Sequence, residues 1–130
     1  MAKRVFLSFV VEDQSLVTLF RGQAKNKNND LEFSDYSVQE PYDSNNAAYI
    51  RSKIRERIGA ASVTICLIGE TTYKSKWVDW ELRASNEEKN KVFGVRLHSS
   101  TTKDPTPKAL TDLKVPVLNW DIDAIVKAIG

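Results

Sequence analysis

Apolar residues fall along this chain in two arrangements, short unbroken runs and stripes spaced three and four apart, and the two alternate from end to end. Residues 4–11, Arg-Val-Phe-Leu-Ser-Phe-Val-Val, form a near-continuous run that predicts a central strand covered on both faces. Asp13 stands where it would cap a helix on which Leu16, Leu19, Phe20 and Gln23 keep helical spacing, and the polar run 25–30 ends that helix. Alternation over 31–35 predicts a second, edge-like strand. Residues 36–46 read as a loop with Pro41, Asp43 and Ser44 among its turn formers. Ala47, Ile50, Ile54 and Ile58 then mark the stripe of a second helix, stopped by Gly59, with Arg51, Lys53, Arg55 and Arg57 on its solvated side.

The β-branched run 63–68, closed by Gly69, predicts a third strand, and the helix carrying Trp77 and Glu81 follows and fades over 87–91. A fourth strand is expected over 92–97, a Ser/Thr/Pro-rich loop over 98–107 and a short helical turn over 108–113. The fifth strand, 115–119, contains Pro116, which suits a sheet edge. Asp121 caps a last helix with Ile122, Ile125, Val126 and Ile129 on one face. Strands alternating with helices predict one α/β domain over residues 1–130: an open five-stranded parallel sheet with helices on both faces. The expected strand order is the flavodoxin-like 2-1-3-4-5, in which ligands bind at the carboxyl ends of strands 1 and 3, where the order reverses. Here that crevice lies between segments 9–13 and 69–77.

One position on the third helix is out of pattern. On a wheel of about 100° per residue with Trp77 at zero, Glu81 falls at about 40°, between Trp77 and Val78, with Trp80 and Ala84 closing the other side. A carboxylate in the middle of an apolar face costs several kcal/mol unless it is paired or kept near water. It is therefore either a structural acid that caps or salt-bridges, or a functional acid facing a crevice. Its place about one turn into the helix beside the expected ligand site weights the second reading.

Composition narrows the function. A net charge of +2 gives no basis for nucleic acid or an anionic membrane as partner. The single cysteine, Cys66, sits in an apolar run, which fits a core thiol in a reducing compartment. One His and one Cys do not make an ordinary zinc site, so no metal is expected. Without a signal-peptide pattern or an apolar run of about 20 residues, a cytoplasmic location is expected. No Gly-rich phosphate loop accompanies Gly69. Ser8 and the distant His98 lack a placed third group, so a nucleophile pair is not indicated; His98 either lines the crevice or is a solvated loop residue.

At Val5-Phe6-Leu7-Ser8-Phe9 with Glu12-Asp13, and again at Tyr73, Ser75, Trp77, Glu81 and Leu82 in the spacing Y-x-S-x-W-x-x-x-E-L, the sequence resembles TIR domains. Residues 1–6 together with Trp77-Val78-x-x-Glu81 are most similar to the TIR-like proteins of bacterial Thoeris anti-phage systems. The likeness spans about residues 4–97, with the last third agreeing only in architecture. Two departures stand out: Val10-Val11 replace the polar or Arg-Gly pair many TIR domains carry after strand 1, and the loop after strand 2 lacks the family's frequent Arg-Gly or Gly-Pro.

The resemblance implies cleavage of the nicotinamide–ribose bond of NAD, with Glu81 as the catalytic residue and NAD as substrate rather than cofactor. Around it the implied substrate-binding residues are Ser8, Asp13 and Ser75, with Phe6 or Phe9 stacking on a ring and Trp77 or Trp80 walling the pocket. The product would be a cyclic ADP-ribose isomer or related conjugate that signals to a separate effector protein, the chain itself acting alone or as a homo-oligomer. The alternatives are a catalytically silent TIR-like adaptor and a receiver-like phosphoacceptor domain. The latter needs an aspartate at the end of strand 3, where this chain has Leu67-Ile68-Gly69-Glu70.

Overall fold

The computed structural model describes residues 3–36, 41–98 and 103–130. The expectations for residues 1–2, and parts of those for the loops 36–46 and 98–107, lie outside that set. Five strands, β1 (Lys3–Ser8), β2 (Leu31–Ser34), β3 (Val63–Ile68), β4 (Lys91–Arg96) and β5 (Val117–Leu118), pair in parallel in the order β2-β1-β3-β4-β5. Helices α1 (Gln14–Lys27), α2 (Ala47–Gly59), α3 (Lys76–Glu87), α4 (Lys108–Asp112) and α5 (Ile122–Ile129) fill the crossovers and the C-terminus.

Side chains alternate across the sheet, so one face and the other build separate cores. Val5, Leu7, Ile65, Leu67, Phe93 and Val95 meet α1 and α5 through Val17, Phe20, Ala24, Ile125 and Ile129. On the opposite face Phe6 meets Ile50, Ile54 and Ile58 of α2 and Ala84 of α3, while Cys66, Ile68 and Val92 meet Val78 and Leu82 of α3 and Leu110 of α4. The sheet is thus covered on both sides, as the unbroken apolar runs require.

Three local expectations change. The buried stripe of α1 is Val17–Phe20–Ala24, and Leu19 is 52% exposed. Val17, Phe20 and Ala24 keep the same i, i+3, i+7 spacing one step round the helix, and the wider apolar set 16–20 does not choose between the two stripes. The first strand stops at Ser8, its last paired residue, opposite Cys66. Phe9 and Val10 leave the sheet, and Val11–Asp13 form a 3-10 turn with Val11 46% exposed. The fifth strand shrinks to two residues, and Pro116 sits beside it with its carbonyl accepting from Gly94 N at 3.0 Å.

A buried polar chain fixes the far end of α3. Thr64 Oγ1 donates to Ser85 Oγ at 2.8 Å, and Asn90 Nδ2 donates to Ile58 O at 3.0 Å and to Thr64 Oγ1 at 3.3 Å. These bonds tie α2, β3 and α3 into one register, which sets how far Glu81 stands above the sheet.

Candidate active site

Four segments converge at the carboxyl end of the sheet beside the β1–β3 switch. They are the chain after β1 (Phe9, Val10, Val11, Glu12), Tyr36 after β2, the passage from β3 to α3 (Thr71, Lys74, Ser75), and α3 itself (Trp77, Glu81). Together they line a cavity of about 570 Å³, within the usual range for small-molecule sites. The passage from β3 is short because Thr72–Lys74 form a 3-10 turn and α3 starts directly after it. Ser75 caps α3, its Oγ accepting from Val78 N at 3.1 Å. Gly69 closes β3 where the chain after β1 comes down on it: a Cβ there would lie 2.2 Å from Asp13 Oδ2. Any side chain there would require the Asp13 carboxyl to move.

Glu81 is 3% exposed and ends at the cavity base. Ser8 Oγ donates to its Oε1 at 2.6 Å, a short bond, across 73 residues of sequence. Among the described residues no cation pairs with it. Burial therefore dominates and pushes its pKa up to about 8, the Ser8 bond pulling it down and the charge of Asp35 adding a further upward push. Among the described residues the acid is held by one hydroxyl and otherwise uncompensated, the condition typical of functional carboxyls. Beneath it burial, with Glu81 nearby, raises the Cys66 thiol far above its ordinary value, so this cysteine is a core side chain and no nucleophile.

The structure brings Ser8, Phe9, Ser75, Trp77 and Glu81 together and separates the other candidates. Phe6 is fully buried among Ile50, Ile54, Ile58 and Ala84. It shares Ser8's face of β1 but lies two residues, about 7 Å, deeper, so it supports the floor and does not reach the cavity. Trp80 is turned toward α2, its ring beneath the Arg55 guanidinium at 5.4 Å and edge-on to Trp77 at 6.5 Å. The wheel accounts for this: Trp77 and Glu81 are about 40° apart, whereas Trp80 is about 100° from Glu81. Asp13 occupies the N-cap position of α1 without making a side-chain cap bond. Its Oδ2 is buried against Gly69 with no hydrogen-bond partner among the described residues, and burial raises its pKa.

Val10, Val11, Glu12, Tyr36, Thr71 and Lys74 line the cavity without having been singled out as binding residues. Five of them carried a positional signal, since they follow the ends of β1 and β3 at the switch point, whereas Tyr36 follows the edge strand β2 and lay outside the expected crevice. His98 lies in the turn after β4, partly exposed, with Nδ1 2.7 Å from Asp104 Oδ2, and it does not line the cavity. Among the described residues no group of three or more His, Cys, Asp or Glu is placed to hold a metal ion, and no helix is long and apolar enough to cross a membrane.

Comparison with known proteins bears on the fold and the family. The fold is similar to a diflavin flavoprotein A3 from Nostoc sp., with a TM-score of 0.57 at 10% identity over 99% of this chain and 90% of that one. It is also similar to the flavodoxin-like domain of a Synechococcus sp. protein, with a TM-score of 0.52 at 12% identity over 96% of this chain and 92% of that one. At such identities the likeness is one of fold alone. In sequence, the chain is 31% identical over 107 residues to the Bacillus cereus (strain MSX-D12) protein named "Putative cyclic ADP-D-ribose synthase ThsB1". The match covers 79% of this chain and 56% of that relative, so the chain spans little more than half of its length. Residues 6–102 match the family described as Thoeris protein ThsB, TIR-like domain, a span that takes in Ser8, the whole cavity wall and Glu81. The chain belongs to the TIR-like domain family of the Thoeris protein ThsB.

Proposed function

We propose that this protein cleaves the nicotinamide–ribosyl bond of NAD and joins the ADP-ribose to an acceptor within the same molecule, giving a cyclic ADP-ribose-type nucleotide. The observation that carries this reading is the Ser8–Glu81 pair at the base of the cavity. The relative's name, a cyclic ADP-D-ribose synthase, supports it.

The chemistry needs one carboxylate and no acid. Nicotinamide leaves a cationic pyridinium ribosyl group as a neutral molecule, taking the bonding electron pair, so nothing has to protonate it. The ribose is left with oxocarbenium character, as in glycoside cleavage. Ser8 holds Oε1, and Oε2 is the oxygen available to a ribose hydroxyl. An ionised Glu81 beside the developing positive charge stabilises it in a site with little water to screen the interaction. Placing the cationic nicotinamide ring beside Glu81 lowers its pKa from about 8, so the substrate itself favours the form that acts on it. Trp77 and Phe9 supply flat apolar walls. Cyclisation then forms a bond from the ribose anomeric carbon to a nucleophilic atom of the same nucleotide, which releases its proton.

In this reading the nucleotide carries the signal to a separate effector in anti-phage defence. The test is NAD consumption by concentrated protein, with products separated by mass, beside Glu81→Gln. The expected result is nicotinamide release with an ADP-ribose-derived product, reduced at least about a hundredfold in a folded Glu81→Gln variant. Turnover that survives the substitution would remove Glu81 from the chemistry. Concentration-dependent assembly with no NAD loss, even with lysate of phage-infected cells, would favour an adaptor.

A further inference from the structure

A second cavity of about 320 Å³ opens beside the first and shares Lys74 and Ser75 with it as a common wall. The partition continues as an aromatic pair: Trp77 lines the first cavity, Tyr42 lines the second, and their rings meet edge to face at 5.0 Å. The second cavity also carries Tyr73, 43% exposed, and two further lysines, Lys76 and Lys108.

The acids of this region are already engaged. Arg83 takes Asp79 through two bonds at 3.0 and 3.1 Å and Asp112 at 2.9 Å, which raises the guanidinium's pKa and lowers that of Asp112. Lys108 also contacts Asp112 at 3.1 Å, but its side chain is 81% exposed. Arg83 contacts Asp112 independently of Lys108. Among the described residues Asp79 is the one acid that lines the cavity, and Arg83 offsets it, so Lys74, Lys76 and Lys108 leave a local positive excess.

The two cavities differ in the charge they accept. The first presents a buried acid that suits a cationic, ring-bearing end group. The second presents lysines and an exposed tyrosine ring, which suit phosphate oxygens and a flat base. A molecule with a cation at one end and a diphosphate-linked nucleoside at the other matches the pair in the order in which they adjoin. We infer that the Tyr73–Lys74–Lys76–Lys108 cavity is the subsite for the nucleoside diphosphate half of the substrate. The inference rests on the NAD reading above and deepens it by assigning where the non-reacting half sits. Binding there orients the scissile end over Glu81, so contacts remote from the chemistry appear in kcat/KM.

The test separates the subsite from the reaction. ADP, which carries the tail and no reactive bond, is titrated into the wild-type protein and into Lys76→Gln/Lys108→Gln by calorimetry, at low and high salt. Wild type is expected to bind ADP with salt-sensitive affinity, and the double variant about tenfold more weakly. In parallel, turnover of NAD and of nicotinamide riboside is compared in the same two proteins. The double variant should lose about tenfold in kcat/KM for NAD and little for the riboside. No ADP binding by wild type, equal binding by the double variant, or equal loss on both substrates would overturn the subsite. Lysine-dependent ADP binding without NAD turnover would retain the subsite and sink the NAD reading instead.

Discussion

At neutral pH the Glu81 carboxyl of the ligand-free protein sits below its pKa of about 8 and is mostly protonated. The proposed reaction needs the anion, so kcat/KM, which reports the free enzyme, should rise with pH along a limb near 8. The kcat limb, set in the substrate complex, should lie lower because the bound cation favours ionisation. Ser8→Ala removes a hydroxyl that donates to the charged form, so its kcat/KM limb should move to higher pH than that of wild type. Matched pH profiles of the two proteins check this, and an unmoved limb would show that Ser8 fills space only. Glu81 is legible in sequence because a carboxylate on an apolar helix face breaks a strong pattern. Phe6, Trp80 and Asp13 were not separable from pocket residues by the same means. Depth along a strand and side around a helix are fixed by what packs above, and sequence spacing is blind to that.

The elements that matter most are the two chain segments leaving β1 and β3. Their closeness depends on Gly69, where any side chain would run into the Asp13 carboxyl. Gly69→Ala should destabilise the fold by about 1–3 kcal/mol through that overlap. Because the obstructing atoms belong to Asp13, the penalty should shrink in an Asp13→Ala background; a denaturant double-mutant cycle measures it. An undiminished penalty would place the strain in the backbone instead. Ser75→Ala removes the cap of α3 and should cost about 1 kcal/mol in the same assay. Element types were readable from apolar period, since a six-residue β-branched run and a three-four stripe bury well in only one way each. Where β1 would leave the sheet was not, because Phe9-Val10-Val11 continue its apolar run unbroken. They turn away although β3 runs two residues further, to Ile68, and that departure makes them the cavity wall.

For the whole molecule, the buried acid is a cost that grows with pH. The unfolded chain releases the Glu81 proton near the ordinary value of 4.5, whereas the folded protein keeps it to about 8. Between those limits the folded state binds more protons, so stability falls as pH rises from about 4.5 to 8 and levels above. Glu81→Gln has no proton to lose and should be folded and more stable than wild type, by an amount that grows over this window to the order of a few kcal/mol. Chemical denaturation at pH 5 and pH 8 checks the sign, and the difference between the two proteins cancels the titrating groups that do not interact with Glu81. A variant that gains stability while losing turnover would mark the acid as retained for chemistry at the expense of the fold.

The sequence by itself determined the alternation of strands and helices, the parallel sheet in the order 2-1-3-4-5, and the helix that presents Glu81 beside Trp77. Those features follow from local periodicity and from the chirality and connection rules that leave few topologies open. Only the tertiary structure decided that Ser8 is the partner of Glu81, that Phe9 to Glu12 and Tyr36 wall the site, and that Phe6 and Trp80 stand outside it. A hydrogen bond between residues 73 apart depends on how far each strand runs before it ends and how high each helix rides on the sheet. Packing across the whole core sets those distances, and no local pattern encodes them.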